Sequence, residues 1–133
     1  MADITLLSAE GGEVFKFRNS STALTVPSLV KLSANTIVAA ADAHTVQTFL
    51  GVAPPVAASA DGILYGQGCV VEIDAAAGYD GALGDYVFVA TVTTVDGGTL
   101  GDTPIGQIVN LNPASGGRVQ VKLLGPTNVR VNR

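Results

Sequence analysis

Tryptophan is absent from this sequence, and cysteine and histidine each occur once, as Cys69 and His44. A single cysteine excludes an intramolecular disulfide, and one cysteine with one histidine cannot supply the usual ligands of a zinc cluster. A nucleophilic thiol needs a basic neighbour, whereas Cys69 lies in an apolar strand pattern that predicts a small buried hydrophobe. His44 stands in a polar loop context, which does not favour a Ser-His-Asp relay. We therefore expect no enzymatic activity, no catalytic residues and no metal site.

Charged residues are also scarce, at 14% of 133 positions, whereas they make up about a quarter of a typical soluble domain. We expect part of the surface to be covered by copies of the chain or by a partner. The net charge of −4 repels phosphate backbones, so no nucleic-acid partner is expected. No apolar run approaches the roughly 18 residues of a membrane helix, and the N-terminus lacks a signal-peptide pattern. We expect no membrane partner and synthesis in a cytoplasm.

The acidic and glycine-rich segments predict turns and no cofactor site. An aspartate beside Gly or Ala in a loop usually caps its own backbone, and five such residues occur: Asp74, Asp80, Asp85, Asp96 and Asp102. Their spacing does not supply the alternating oxygen ligands of a calcium loop. The pairs Gly66/Gly68 and Gly81/Gly84 are followed by neither a lysine nor a predicted helix start, so they do not form a phosphate cradle.

Short β-branched runs between glycines and prolines are what the chain has in abundance. Apolar residues make up 47% of it, with 16 Gly and six Pro that divide it into short pieces. This composition predicts an all-β protein, a compact barrel or sandwich of short strands. The longest β-prone run covers 85–95, and a hairpin-type turn is predicted at 96–99.

Three further segments give more specific expectations. Residues 118–123 alternate strictly, which places Val119, Val121 and Leu123 inward and Arg118, Gln120 and Lys122 outward. Residues 24–32 read as a strand that is interrupted at Pro27 and Ser28, and Pro27 confines it to an edge or a bulge. A short helical turn over 39–49 is the alternative to a link between strands. The domain organisation expected is a first strand or extended arm at 1–20, a β-domain at 21–125 and a C-terminal tail at 126–133.

The order of motifs after residue 48 resembles the small β-modules of tailed bacteriophage virions, especially capsid decoration (cement) proteins. The motifs are an apolar strand ending in Leu-Gly-Val-Ala at 50–53, an Ala/Ser/Asp-Gly loop at 57–62, a glycine-marked strand at 65–70, a Gly-Asp-led strand at 84–89, a Gly-Gly-Thr-Leu turn at 97–100, a Thr-Pro-Ile-Gly-led strand at 103–109 and an alternating strand at 119–123. The resemblance covers residues 49–124. Similar modules occur in head-fibre and tail-fibre proteins.

Membership of that family implies a barrel-like fold, a homotrimer, and binding to the major capsid protein on the outer surface of an icosahedral head. It also implies localisation on the virion, stabilisation of the mature lattice, and no catalytic residues. Residues 1–20 lie outside the matched part. An N-terminal arm is one of two alternatives for them, in which apolar side chains add a strand to a capsid sheet: Ile4, Leu6, Leu7, Phe15 and Phe17. The other alternative is the first strand of the domain.

Three other functions remain as alternatives at this point. A fibre-base or host-recognition module binds glycans or receptors through exposed aromatic rings, which are few here. A small β-barrel hydrolase or isomerase lacks the catalytic groups it would need. A head-completion or tail-tube protein shares the all-β composition but uses long stacking loops, and the loops here look short.

Overall fold

All the regular structure that can be described in this protein is β-strand. The structure is a computed structural model that describes residues 3–41, 48–77, 79, 81–98, 102–112 and 117–124. The eleven strands in these ranges are β1 (Thr5–Ser8), β2 (Val14–Arg18), β3 (Ser28–Ser33), β4 (Thr36–Ala39), β5 (Phe49–Ala53), β6 (Asp61–Tyr65), β7 (Val70–Ala75), β8 (Tyr86–Thr91), β9 (Thr94–Asp96), β10 (Gly106–Asn112) and β11 (Arg118–Leu123). The all-β prediction is confirmed. Within the described ranges, no helix is long and apolar enough to cross a membrane.

Five of the strands close a small barrel. Their order is β7-β11-β10-β8-β9, and β9 returns to pair with β7. The β7–β9 contact is parallel and the other four contacts are antiparallel. β1 and β9 pair with the same edge of β7. Thr5 of β1 lies opposite Glu72, and Thr94 of β9 lies opposite Asp74, two residues further along β7. β1 therefore extends the barrel wall where β9 does not reach.

The remaining five strands form a second, antiparallel sheet in the order β2-β6-β5-β3-β4. This sheet curls, because Asn19, directly after β2, forms a parallel bridge with Ile37 of β4, so the two edge strands meet. The curl needs a close approach between β5 and the end of β6. Gly51 has φ of 152°, and a Cβ atom there would lie 2.0 Å from the carbonyl oxygen of Tyr65. Only glycine fits this position.

The interior is divided into two apolar clusters. The larger one joins side chains of the barrel to Leu29, Phe49 and Val52 of the second sheet. The smaller one lies inside the curl of the second sheet and consists of Phe17, Leu24, Val30, Ala53, Val56 and Leu64. Each valine, leucine or phenylalanine side chain in these clusters contributes about 1.5–3 kcal/mol when it is fully buried. Cys69 is completely buried in the larger cluster, as the sequence predicted.

The strand predicted over residues 24–32 is interrupted before Ser28, as expected, but the prediction of an edge position is wrong. Leu24 makes only an isolated bridge with Val56, and β3 begins at Ser28. β3 lies between β5 and β4 rather than at an edge. Pro27 precedes the first residue of the strand, so the N–H group that it lacks is not needed in the ladder.

The run at 85–95 is not one strand, since it contains both β8 and β9. The turn predicted at 96–99 falls partly on residue 99, which lies outside the described residues, and the strands on either side of it, β9 and β10, are not neighbours in the barrel. β8 and β9 are joined by a tight turn at Val92 and Thr93. Two threonine hydroxyls stabilise it, since the Oγ1 atoms of Thr91 and Thr94 lie 2.7 Å apart. The N–H of Leu29 donates to the carbonyl oxygen of Val92 at 2.8 Å and ties the turn to the second sheet.

The glycines after β9 leave room for aromatic side chains that pack closely against the backbone. A Cβ atom at Gly97 would lie 2.8 Å from Tyr79, and one at Gly98 would lie 2.7 Å from Phe88. The chain passes here from β9 to β10, which are not neighbours in the barrel. The helical-turn alternative for 39–49 falls largely on residues 42–47, which lie outside the described residues, as does His44.

Candidate functional site

The structure separates the five apolar residues that the sequence singled out near the N-terminus. Ile4 is only 4% exposed and belongs to the larger core, and Phe17, at 8%, belongs to the smaller one. Leu6 and Leu7 are exposed on β1, whereas Phe15 is exposed on β2 in the other sheet. The five therefore do not form one surface. Of the set, Leu6, Leu7 and Phe15 are available to a partner.

A buried arginine holds β1 against the barrel. The Arg118 side chain is only 7% exposed, and its Nε and Nη1 atoms lie 3.0 Å from Glu72 Oε1 and 2.7 Å from Asp74 Oδ1. Its Nη2 donates to the carbonyl oxygens of Asp3 at 2.8 Å and of Glu72 at 3.0 Å. A buried guanidinium is stable only when it is paired and hydrogen-bonded in this way. Arg118 faces outward from β11, as the alternation predicted, but its side chain is buried and not exposed to solvent.

Strand register explains this cluster. Arg118 is paired with Asp74 and Gln120 with Glu72, so these side chains share the outer face of the β11–β7 pair. Gln120 Nε2 lies 3.5 Å from Glu72 Oε2, and Asn110 Nδ2 donates to Gln120 Oε1 at 3.3 Å. Opposite charges that face each other across two strands attract. The sequence shows the alternation within each strand, but it does not show that these two strands pair or that β1 covers them.

An apolar groove opens on the second sheet beside β2. It has a volume of about 260 Å³ and is lined by Phe15, Lys16, Phe17, Ile37, Leu50 and Leu64. Phe15 is paired with Leu64, and strand alternation places Phe15 and Phe17 on one face, as the sequence predicted. Phe17 is buried at the floor of the groove, while Phe15 is 49% exposed. We call this feature the β2 groove.

A second exposed apolar surface lies on the outside of the barrel. The N–H of Gly84 donates to the carbonyl oxygen of Ile108 at 2.9 Å, which sets Leu83 beside Val109. Tyr86 is paired with Gln107, and Val109 follows two residues further along β10, at a bulge. Leu83, Tyr86 and Val109 are all exposed, and Leu83, at 62%, is the most exposed large apolar side chain that the structure describes. We call these three residues the Leu83 patch.

The negative charge of the chain is unevenly distributed along the sequence. Residues 13–65 have three basic residues and three acidic ones, for a net charge of zero. The remaining residues have four basic and eight acidic ones, for a net charge of −4.

A polar groove of about 380 Å³ lies near the single cysteine. Glu13, Gln67, Gln107 and Lys122 contribute to its lining. The thiol of Cys69 lies behind it, with Sγ 3.5 Å from the carbonyl oxygen of Glu13. Burial raises the pKa of the Cys69 thiol, and the negative charge of Glu13 adds to this effect against a backbone hydrogen bond from Gly66. At neutral pH the group is a buried thiol and not a nucleophilic thiolate.

The described residues contain no group of three His, Cys, Asp or Glu side chains placed to hold a metal ion. Three apolar surface features are exposed to a partner: Leu6 and Leu7 on β1, the β2 groove and the Leu83 patch. No protein-family model and no curated protein matches the sequence.

Proposed function

We propose that this chain is a virion structural protein of the decoration (cement) class, without enzymatic activity. In this proposal it binds the major capsid protein on the outer surface of an icosahedral phage head as a homotrimer and stabilises the mature lattice. The motif order of residues 49–124 supports the family, and the surface described above supports the mode of action. Tails, fibres and host receptors offer other partners to an all-β module, and the experiment below separates them.

Apolar side chains on the surface carry the proposal. Exposed large apolar residues occur on both sheets: Leu6, Leu7, Val14, Phe15, Val26, Leu32, Ile63, Leu83, Tyr86, Val109 and Leu111. Single exposed apolar residues are normal on any protein. Here, however, eleven large ones are exposed among the described residues, and only 14% of the chain is charged. A surface of this kind is typical of a protein that works while covered by other subunits.

β1 is the segment that we assign to the capsid contact. Among the described residues it pairs only with β7, so its other edge presents backbone groups to which a capsid strand can add. Leu6 and Leu7 are exposed beside that edge. Arg118 and the buried side chain of Ile4 fix β1 in place, so the contact is made by an ordered strand, with little loss of conformational entropy on binding.

Stabilisation follows from mass action and from the number of contacts. A protein that binds the expanded lattice, but not the unexpanded or dissociated subunits, shifts the equilibrium towards the expanded shell. A trimer engages several capsid subunits at once, so weak individual contacts give a high overall avidity.

Two measurements test the proposal. Purified protein is mixed with expanded and with unexpanded heads of the virus whose genome encodes it, and the heads are sedimented. We expect binding to expanded heads only, with an increase in the temperature at which those heads break open. Gold-labelled antibody on intact virions gives the position. Label over the head supports the proposal, while label confined to the tail, the fibres or the head–tail joint rejects it in favour of those sites.

A further inference from the structure

β1 has one free edge in the part of the chain that the structure describes, since its partner there is β7 alone. Leu6 and Leu7 are 37% and 45% exposed beside this edge. The backbone groups of a free edge can pair with any extended chain, and native proteins often protect such an edge with lysines or cover it. No Lys or Arg occurs in residues 1–12. A segment that covered the edge would also cover both leucines.

β11 leaves the barrel close to this edge. Lys122 of β11 and Ser8 of β1 both lie opposite Val70 of β7, so β1 and β11 end at the same level of the sheet. Leu124, which follows β11, lines the polar groove together with Gly11, which follows β1 by three residues. The groove of about 380 Å³ therefore connects the point where the chain leaves β11 with the end of β1.

The segment after Leu124 is long enough to reach the free edge. Residues 125–133 lie outside the described residues. Their sequence begins with Gly-Pro-Thr-Asn, which is typical of a link, and continues with Val-Arg-Val at 129–131, which alternates as a strand does. Three strand spacings, about 14 Å, separate β11 from a position beside β1. Residues 125–129 span about 17 Å when they are extended.

The charges of the two segments are complementary. Residues 1–12 contain Asp3 and Glu10 and no basic residue, whereas residues 125–133 contain Arg130 and Arg133 and no acidic residue. Asp3 and Glu10 are exposed on either side of β1. Opposite charges on neighbouring strands attract, so a strand from the second segment suits the edge of β1.

We infer that residues 129–131 add to the free edge of β1 of the same chain, with the link 125–128 in the polar groove. A chain that enters at the Ser8 end runs towards Thr5, so the added strand is antiparallel to β1. The segment thereby covers the edge to which we assign the capsid strand, and capsid binding must displace it. A covered edge lowers the apparent affinity in proportion to the fraction of molecules in which the edge is free. Only this displacement step rests on the proposed function.

Two variants weaken the cover, and a third is the matched control. Val129→Asp and Val131→Asp each remove an apolar contact and place a negative charge near Asp3 and Glu10. Asn132→Asp makes the same change of charge but removes no apolar side chain. None of the three positions belongs to the two described apolar clusters, and thermal melting establishes that each variant is folded.

Amide hydrogen exchange in β1, measured by NMR on the full chain, gives the decisive comparison. Successive amides of a strand point to opposite edges, so those that do not face β7 report on the cover. We expect all amides of β1 to be protected in the wild type and in Asn132→Asp. In Val129→Asp and Val131→Asp the outward amides should exchange about tenfold faster or more. Expanded heads should bind each of these two variants about tenfold more tightly than the wild type.

Two results would overturn the inference. The first is outward amides that exchange as fast in the wild type as in the two valine variants. The second comes from oxidation of a chain with Leu7→Cys and Val131→Cys, in which Cys69 stays buried. A disulfide within one chain supports the cover, while a disulfide only between two chains would assign the edge to a second copy.

Head binding separates this inference from the proposed function. Faster exchange in the valine variants without tighter head binding would reject the displacement step and keep the cover. Heads that bind neither the wild type nor any variant would reject the proposed function and leave the cover standing.

Discussion

Arg118 Nη2 donates a hydrogen bond to the backbone carbonyl oxygen of Asp3 at 2.8 Å, across 115 positions of sequence. The same guanidinium contacts Glu72 and Asp74 of β7. One side chain near the end of the described chain therefore fixes the strand at its beginning. This contact makes β1 an ordered part of the barrel wall in the isolated chain.

Arg118→Ala is expected to lower the free energy of unfolding by about 3–5 kcal/mol, because it removes the buried guanidinium that pairs with both Glu72 and Asp74. Urea denaturation measures this loss. Lys122→Ala is the control, since Lys122 is exposed on the same strand and its removal should change stability by no more than about 0.5 kcal/mol. Equal stability of the two variants would contradict the role assigned to Arg118. The stability of Arg118→Lys should fall between those of the two alanine variants. A lysine ammonium group lacks the planar fork of donors with which the guanidinium contacts all of these oxygens at once.

Ile4 and Leu7 are expected to have opposite roles although both lie near the N-terminus. Ile4→Ala removes a core side chain and should cost about 2–5 kcal/mol of stability. Leu7→Ser changes an exposed residue and should leave the free energy of unfolding within about 0.5 kcal/mol of the wild type. Its affinity for expanded heads should instead fall about tenfold, as for a contact residue at an interface. Unchanged head binding by Leu7→Ser would remove β1 from the capsid contact.

The position of Gly51 gives a sharp stability test. Gly51→Ala places a methyl group 2.0 Å from the Tyr65 carbonyl oxygen, where backbone must move to admit it. We expect a loss of about 3 kcal/mol or more, measured by thermal unfolding. Gly11 also has a positive φ, of 76°, but its Cβ would meet nothing within 4 Å. Gly11→Asn is therefore tolerated, because asparagine adopts the left-handed region at low cost. Similar melting temperatures for the two variants would contradict the close packing of β5 against the end of β6.

The fold class could be predicted from the sequence, because glycines and prolines divide the β-branched runs into short pieces, which is typical of a barrel or sandwich of short strands. Positions of turns were harder to predict. The Thr-Val-Thr-Thr segment at 91–94 lacks the residues typical of a hairpin turn, and it turns because its hydroxyls and the Leu29 N–H supply the hydrogen bonds. The interpretation of Pro27 as the mark of an edge strand was wrong, since Pro27 precedes a central strand.

The docking surfaces could be predicted only in part. Alternation correctly placed Phe15 and Phe17 on one face, but it could not show that one is exposed and the other buried. The burial of Arg118 depends on which strands pair, and pairing between segments more than 40 positions apart is not contained in a local pattern. The Leu83 patch has no sequence signal of its own. It arises because backbone hydrogen bonds between Gly84, Asp85 and Ile108 hold the loop that contains Leu83 against β10.

Stability is expected to decline in alkaline solution. Burial raises the pKa of Tyr79 above its ordinary value of 10.0, and the charges of Asp85 and Asp96 add to it; the pKa of Cys69 is likewise raised above 9.0. Both groups therefore stay protonated in the folded state at pH values where the unfolded chain has begun to lose those protons. Their contribution is fully present below pH 9.0 and is lost as the pH rises, since the unfolded state then binds fewer protons.

Urea titrations at a series of pH values measure this decline. Tyr79→Phe and Cys69→Ala should each flatten the alkaline slope relative to the wild type, whatever their effect on stability at neutral pH. Tyr86→Phe is the control, because Tyr86 is exposed. A wild-type stability that is level or rising above pH 9.0 would contradict the burial of these two groups.

Cryo-electron microscopy of expanded heads, with and without the added protein, tests the central claim most directly. The account predicts additional density on the outer surface of the shell, in rings of three copies that span junctions between major-capsid subunits, with β1 against the shell. Leu7→Ser should reduce the occupancy of these positions. Heads that show no added density at saturating protein, or density only at the portal vertex, would contradict the assignment of this chain as a decoration protein.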